Sequence, residues 1–193
     1  MSETVNRSAA EQAVRDLLSA FHIKQKPGME ETPQRVVKML EEVWEGEQYT
    51  NEELVKMYNK TFPVAVGGNT DMVVVKDIEA FSYCEHHLAL IYNMKVSVGY
   101  LPEDKVIGLS KIARIVEMCC KRLQVQERIG RDIAVVMKKI VGPNVIVRIE
   151  ANHSCMTARG IKKPSSKTVT LAKCGVFTTD ASLLDQFLYQ LRE

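Results

Sequence analysis

Two short segments hold most of the side chains able to bind or activate a small molecule: Cys84-Glu85-His86-His87 and His153-Ser154-Cys155. The chain has four histidines and five cysteines, and all its histidines except His22 lie in these segments. Thiolate and imidazole together suit Zn2+, a borderline-soft ion that such ligands hold at ~2.0–2.3 Å. On a turn, residues three apart can face one point, so Cys84 and His87 can share an ion. On a strand, side chains two apart project to one face, so His153 and Cys155 are expected to point together, with Val147, Ile149 and Ala151. Cys84, His86, His87, His153 and Cys155 are more than the corners of a tetrahedron, and two readings are open. One is a closed four-ligand site tying two loops together. The other has three protein ligands, an open water position, and the remaining imidazoles as acid–base groups. Cys-x-x-His paired with His-x-Cys is not a common finger spacing, which weighs against the first.

Basic residues stand near both segments. Lys111 and Arg114 follow Ser110 at a helix start, and Arg159, Lys162 and Lys163 follow Cys155. A helix N-terminus with convergent Lys and Arg makes a phosphate site, although each residue alone reads equally as solvated surface charge. Cys119 falls on an apolar helix face and Cys174 within a strand, where a thiol is usually a small buried hydrophobe, and Cys120 reads the same way. His22 ends a helix and reads as a capping or surface residue.

The elements that must position these groups follow from periodicity. Val14, Leu17, Leu18 and Phe21 form a helical stripe over Glu11–Phe21. Thr32 reads as the N-cap and Pro33 as the first residue of a second helix that runs to Trp44 and buries Val36, Leu40 and Val43. A short helix follows over Asn51–Tyr58. Met72–Ile78 and Ala89–Leu101 are β-branched and read as strands. Leu109–Leu123 and Glu127–Val141 read as amphipathic helices, and Gly142-Pro143-Asn144 as a turn. Val145–His153 and Thr168–Phe177 read as strands, and Asp180 caps a last helix that turns Leu184, Phe187, Leu188 and Leu191 inward. The order is helical lead-in, two strands, two helices, two strands and a closing helix, an α+β arrangement. It divides into an N-terminal helical region, 1–65, and a catalytic domain, 66–193. Four strands with helices on one side leave open sheet edges, which assembly with other subunits removes.

Composition sets the outer limits. A net charge of +2 across 193 residues, with 46% hydrophobic residues, describes a globular chain with a real core and does not favour bulk nucleic-acid binding. The polar N-terminus and the lack of a long apolar run give no leader or membrane span, and unpaired cysteines beside histidines suit a reducing cytoplasm.

Several long motifs, in this order, resemble GTP cyclohydrolase I: Cys84-Glu85-His86-His87; Val106 to Val116, with Gly108-Leu109-Ser110-Lys111; Leu123-Gln124-Val125-Gln126-Glu127-Arg128; and His153-Ser154-Cys155 with Ala158-Arg159-Gly160. Thr32-Pro33-Gln34-Arg35-Val36-Val37-Lys38-Met39 resembles the start of that family's helical region, and the likeness spans about residues 30–178. The resemblance implies that Cys84, His87 and Cys155 ligate zinc and that His86 and His153 are unligated catalytic histidines. It further implies that Gln126 and Glu127 hold guanine, that Ser110 serves the later steps, and that Lys111, Arg114, Arg159, Arg35 and Lys38 contact the triphosphate. The fold implied is the tunnelling fold, an antiparallel sheet with two helices on one face, preceded here by N-terminal helices. Such units assemble into an oligomeric barrel, commonly a homodecamer, with active sites between subunits. Activated water would add to C8 of GTP, His153 would donate a proton, His86 would relay a second, formate would leave, and 7,8-dihydroneopterin triphosphate would form.

Two departures from the family pattern stand out. The Leu88–Met94 hairpin is one residue longer than usual, and the short N-terminus lacks the extension of animal members, which argues against a regulatory partner. The competing readings are a zinc-stabilised purine-nucleotide binding module and a downstream pterin enzyme of the same fold. Unligated imidazoles count against the first, and the ligand set counts against the second.

Overall fold

The computed structural model describes residues 5–64 and 71–192. Helix α1 (Arg7–Ala20) opens earlier than its apolar stripe, because the Asn6 side chain accepts from the Ala9 N–H and caps the first turn. It ends at Phe21, with His22 in the left-handed region at φ 54° and the His22 and Ile23 N–H groups closing on Ser19 and Leu18 carbonyls. Its stripe is only partly used: Leu17 and Phe21 stay exposed. Helix α2 (Thr32–Val43) takes Thr32 as its first residue, not as its cap; Glu31 stands at the cap position and makes no side-chain capping bond. Pro33 presets the first turn, so a side-chain acceptor matters less there. Val37 and Val43 are buried, whereas Val36 and Leu40 are half-buried. Helix α3 (Asn51–Tyr58) opens with a Thr50–Glu53 capping box.

Strand β1 (Thr61–Pro63) pairs antiparallel with β4 (Lys105–Ile107), a small ladder the periodicity did not reveal. The expected 65/66 domain boundary lies outside the described residues. Leu54 of α3 is fully buried in the same apolar cluster as the sheet, so α3 is part of the main core.

That core lies beneath a five-stranded sheet in the order β5-β2-β3-β6-β7. Strands β2 (Val73–Cys84), β3 (Ala89–Tyr100), β6 (Val145–His153) and β7 (Thr168–Lys173) run antiparallel. Strand β5 (Leu123–Gln124) adds two parallel residues beside Tyr83 and Cys84. Helices α4 (Leu109–Cys120) and α5 (Gln126–Val141) cover one face, where Ile112, Ile115, Ile129 and Ile133 meet Val96, Val98, Val147 and Ile149 in one buried cluster. Each such side chain is worth ~1.5–3 kcal/mol on burial. Helix α7 (Ala181–Gln190), capped by Asp180, covers part of the opposite face through Phe187, Phe177 and Ile146. Gly99 permits this: a Cβ there would stand 2.7 Å from the Phe187 ring.

Three element ends differ from expectation. Strand β2, expected to end at Ile78, runs on to Cys84 because its pairing with β3 continues to Ala89. Helix α4 stops at Cys120, not Leu123, because the Arg122 guanidinium is drawn into a buried network with the Gly46 and Tyr49 carbonyls, and Leu123 joins the sheet. Strand β7 stops at Lys173, leaving Cys174 only half-buried, because Gly175 at φ 60° turns the chain into a short 3-10 segment that seats Phe177. The long 88–94 segment contains a β-bulge. Tyr92 and Asn93 oppose Phe81 alone, and Asn93 and Met94 oppose Ala151 alone. Asn93 takes φ 47°, a conformation asparagine adopts more readily than most residues. No helix among the described residues is long and apolar enough to cross a membrane.

Candidate metal centre and active site

Cys84 ends β2, and the chain turns at once. The His87 and Leu88 N–H groups donate back to the Cys84 carbonyl at 3.3 and 2.9 Å, and Leu88 closes the turn at φ 49°. Cys84 and His87 therefore share one turn, as their spacing predicts. Cys155 arrives differently. Strand β6 ends at His153, and Cys155 sits on a single helical turn, α6 (Ser154–Thr157). A bond of 3.0 Å between the Tyr92 and Thr157 hydroxyls ties that turn to β3. The strand alternation expected for His153 and Cys155 is replaced by a bend that swings the thiol toward β2.

The outcome is a cluster in which one ligand atom each from Cys84, His87 and Cys155 lie within 4.8 Å of one another. Cys84 is buried, Cys155 is partly buried and His87 is exposed, so the cluster opens to solvent on the imidazole side. Burial pushes the Cys155 thiol up from its ordinary value, the neighbouring Cys84 sulfur adds to this, and Arg159 opposes it. A cation between two sulfurs reverses that penalty, and two thiols with one imidazole are a ligand set zinc accepts. The residues present fit a metal ion.

Two imidazoles stand outside the cluster. His86 Nδ1 is 3.7 Å from Cys84 Sγ, Nε2 is 3.7 Å from Glu85 Oε1, and the side chain is 62% exposed. His153 is half-buried; burial pulls its pKa below the ordinary histidine value, and the nearby Glu127 charge opposes this. Its Nε2 lies 2.8 Å from Gln126 Oε1. Gln126 is buried, and its amide nitrogen contacts the Ile149 carbonyl, the Thr168 carbonyl and Thr170 Oγ1. The expectation that Gln126 holds the base therefore meets a side chain already committed inside the chain. Glu127 is exposed in the first turn of α5, next to His153.

The remaining candidates spread out. Ser110 and Arg114 line a cavity of ≈ 1030 Å³ together with Glu79, Lys95, Glu150 and Lys167, and no member of the Cys/His cluster lines it. The cavity runs along α4 from Ser110 to Cys120, ~15 Å at ~1.5 Å per residue. Lys111 is half-buried beside Gly108. Arg159 is exposed near Cys155. Arg35 pairs with Glu31 at 2.8 Å on the surface of α2, and Lys38 is exposed on the same helix. Within one chain the structure brings together Cys84, His86, His87, Gln126, Glu127, His153, Cys155 and Arg159. It does not bring Ser110, Lys111, Arg114, Arg35 or Lys38 to them.

One pair escaped the sequence reading. Glu85, between a cluster thiol and His86, forms a two-bond ion pair with Arg128 of α5. Only the tertiary approach of α5 to the 85–88 turn joins them, and no spacing rule signals that.

Fold and site together define a class: an α+β protein with a metal-capable Cys-His-Cys centre at its strand ends and unligated imidazoles beside it. The model of one family, GTP cyclohydrolase I, matches residues 10–192. The chain is 50% identical over 190 residues to GTP cyclohydrolase 1 of Ruminiclostridium cellulolyticum, covering 96% of this chain and 97% of that one. It is 51% identical over 181 residues to the protein of the same name from Clostridium botulinum strain Kyoto, covering 91% and 92%. With that from Clostridium acetobutylicum it shares 46% over 189 residues, covering 96% and 97%. A crystal structure of the archaeosine synthase QueF-Like in the apo form aligns with TM-score 0.44 and 19% identity over 55% of this chain and 95% of that one. The chain belongs to the GTP cyclohydrolase I family.

Proposed function

We propose that this chain hydrolytically opens the guanine ring of GTP, releasing formate and forming 7,8-dihydroneopterin triphosphate. The observation that carries the reading is the convergence of Cys84, His87 and Cys155, with His86 and His153 beside them and outside the ligand set. A structural metal site gains nothing from flanking free imidazoles. Zinc held by these three residues supplies Lewis-acid activation of water near neutral pH.

The chain's own groups supply the rest. His153 in its charged form, which the nearby Glu127 carboxylate favours and burial opposes, holds a proton for the imidazole-ring nitrogen of guanine adjoining C8 and delivers it as charge develops there. His86, whose side chain is exposed, relays a second proton to solvent. Glu127 accepts the adjacent ring N–H and exocyclic amine of guanine in parallel. Arg159 reaches the triphosphate, with Lys111, Arg114 and, from α2, Arg35 and Lys38 as further cations, and Ser110 acts on the opened ribose.

A homo-oligomer completes the site. Among the described residues β2 is paired at its outer edge only at Tyr83 and Cys84, and β7 has no outer partner. Joining such edges between copies yields the tunnelling-fold barrel, a homodecamer, and brings one copy's Ser110–Arg114 segment to another's cluster. The five cysteines are all free thiols, which suits a reducing cytoplasm. Incubating zinc-loaded protein with GTP and assaying formate and fluorescent pterin tests the reading. Cys155→Ala is expected to lose bound metal, and His153→Ala to keep metal while losing formate release. Formate release by the metal-free protein would overturn it.

A further inference from the structure

The Gln126 side chain spans two parts of the molecule. Its amide nitrogen stands 3.1 Å from the Ile149 carbonyl, 3.1 Å from the Thr168 carbonyl and 3.2 Å from Thr170 Oγ1. All three are acceptors toward it, so the amide can be oriented in one sense only, nitrogen toward β6 and β7. Its carbonyl oxygen then faces His153 Nε2 at 2.8 Å, and that oxygen can only accept. His153 must therefore carry a proton on Nε2. Nδ1 is left as the nitrogen that exchanges a proton with the substrate, and it carries that proton when the ring is charged.

The amide has two N–H groups and three neighbouring oxygens, so no donor remains for a base. The residue is 1% exposed, which leaves no path to present one. A merely structural glutamine would satisfy the strand carbonyls and end there. This one continues to a histidine at the last position of β6.

We propose that Gln126 is a positioning residue for His153: it fixes the ring plane and the Nε2–H tautomer, so that His153 meets the substrate through Nδ1. The proposal rests on the assignment of His153 as proton donor, and it replaces the expectation that Gln126 touches guanine.

The test compares Gln126→Met, which keeps volume and removes the amide, with Gln126→Asn, which keeps an amide one methylene too short to span both sides. Correctly placed acid–base groups contribute ~10²–10⁴-fold, so kcat is expected to fall ~10–100-fold in both variants while KM for GTP stays within about twofold. GTP affinity, measured without turnover in His153→Ala and in His153→Ala/Gln126→Met, is expected to be equal. Nitrogen-15 spectra of the histidine-labelled, zinc-loaded protein are expected to show His153 protonated at Nε2, a preference lost in Gln126→Met. A base-contact role predicts the reverse kinetic split, a raised KM with kcat intact, and that result overturns the proposal. So does an Nδ1-protonated His153 in the unsubstituted protein. Should Gln126→Met fail to fold, Gln126→Asn alone decides, and unchanged kcat there refutes the role. Full activity of His153→Ala would remove His153 from the chemistry and the proposal with it. An inactive His153→Ala beside a normal Gln126→Asn overturns the positioning role alone.

Discussion

Replacing Arg122 by methionine is expected to destabilise the protein and loosen the metal cluster together. The Arg122 guanidinium donates to the Gly46 carbonyl at 3.1 Å, the Tyr49 carbonyl at 2.8 Å, Asn51 Oδ1 at 2.9 Å and Asp132 Oδ2 at 3.0 Å. Its side chain is 10% exposed and that of Asp132 18%. Breaking a buried pair by removing one partner costs ~3–5 kcal/mol. Asp132 would keep donors from Gln124 at 2.9 Å and Asn51 at 3.1 Å, so its charge would not be wholly unpaired. That places the cost near the lower bound, ~3 kcal/mol, or a fall in melting temperature of ~6–12 °C for a chain of this size. The same network holds β5. Gln124 donates to Asp132, and its backbone carbonyl accepts from the Glu85 N–H at 3.1 Å, immediately beside Cys84. Weaker metal retention against a chelator is therefore expected alongside the lower stability. The assay is urea unfolding of zinc-loaded protein at one fixed protein concentration, for Arg122→Met, Asp132→Asn and the double variant. A coupling energy above ~1 kcal/mol is expected. Additive single effects, or a loss below ~1 kcal/mol for Arg122→Met, would refute the network.

Glu127→Gln separates a base-holding carboxylate from one that only favours a helix start. The former predicts at least ~100-fold lower GTP turnover with metal content unchanged, the latter a stability loss of ~0.3–1 kcal/mol with turnover intact, and near-normal turnover removes Glu127 from the site. For assembly, light scattering is expected to find a large homo-oligomer that loses activity on dissociation. A fully active monomer would contradict the shared site.

Much of the site was legible because it rests on local rules. Cys84 and His87 share a turn because three residues on a turn face one point, and the structure keeps that relation. Helices α4 and α5 and strands β3 and β6 follow apolar periods strong enough to survive any packing context. The turn after Cys84 and the Asp180 cap likewise needed no partner from elsewhere in the chain.

Other features were decided only by contacts between distant segments. Periodicity carried α4 through Leu123, but Arg122 found its acceptors in residues 46–51 and ended the helix at Cys120. Strand alternation put Cys155 on β6; the Tyr92–Thr157 bond holds a helical turn there instead, and the cluster closes by that bend. The motif around Gln126 marks it as a site residue, yet its role depends on which atoms surround the amide, and those come from β6 and β7. Residue types and short spacings determine which groups can bind a metal or carry a proton, because those capacities belong to single side chains and their near neighbours. Orientation, desolvation and the pairing of Glu85 with Arg128 depend on segments brought together through the fold, and no local pattern encodes them.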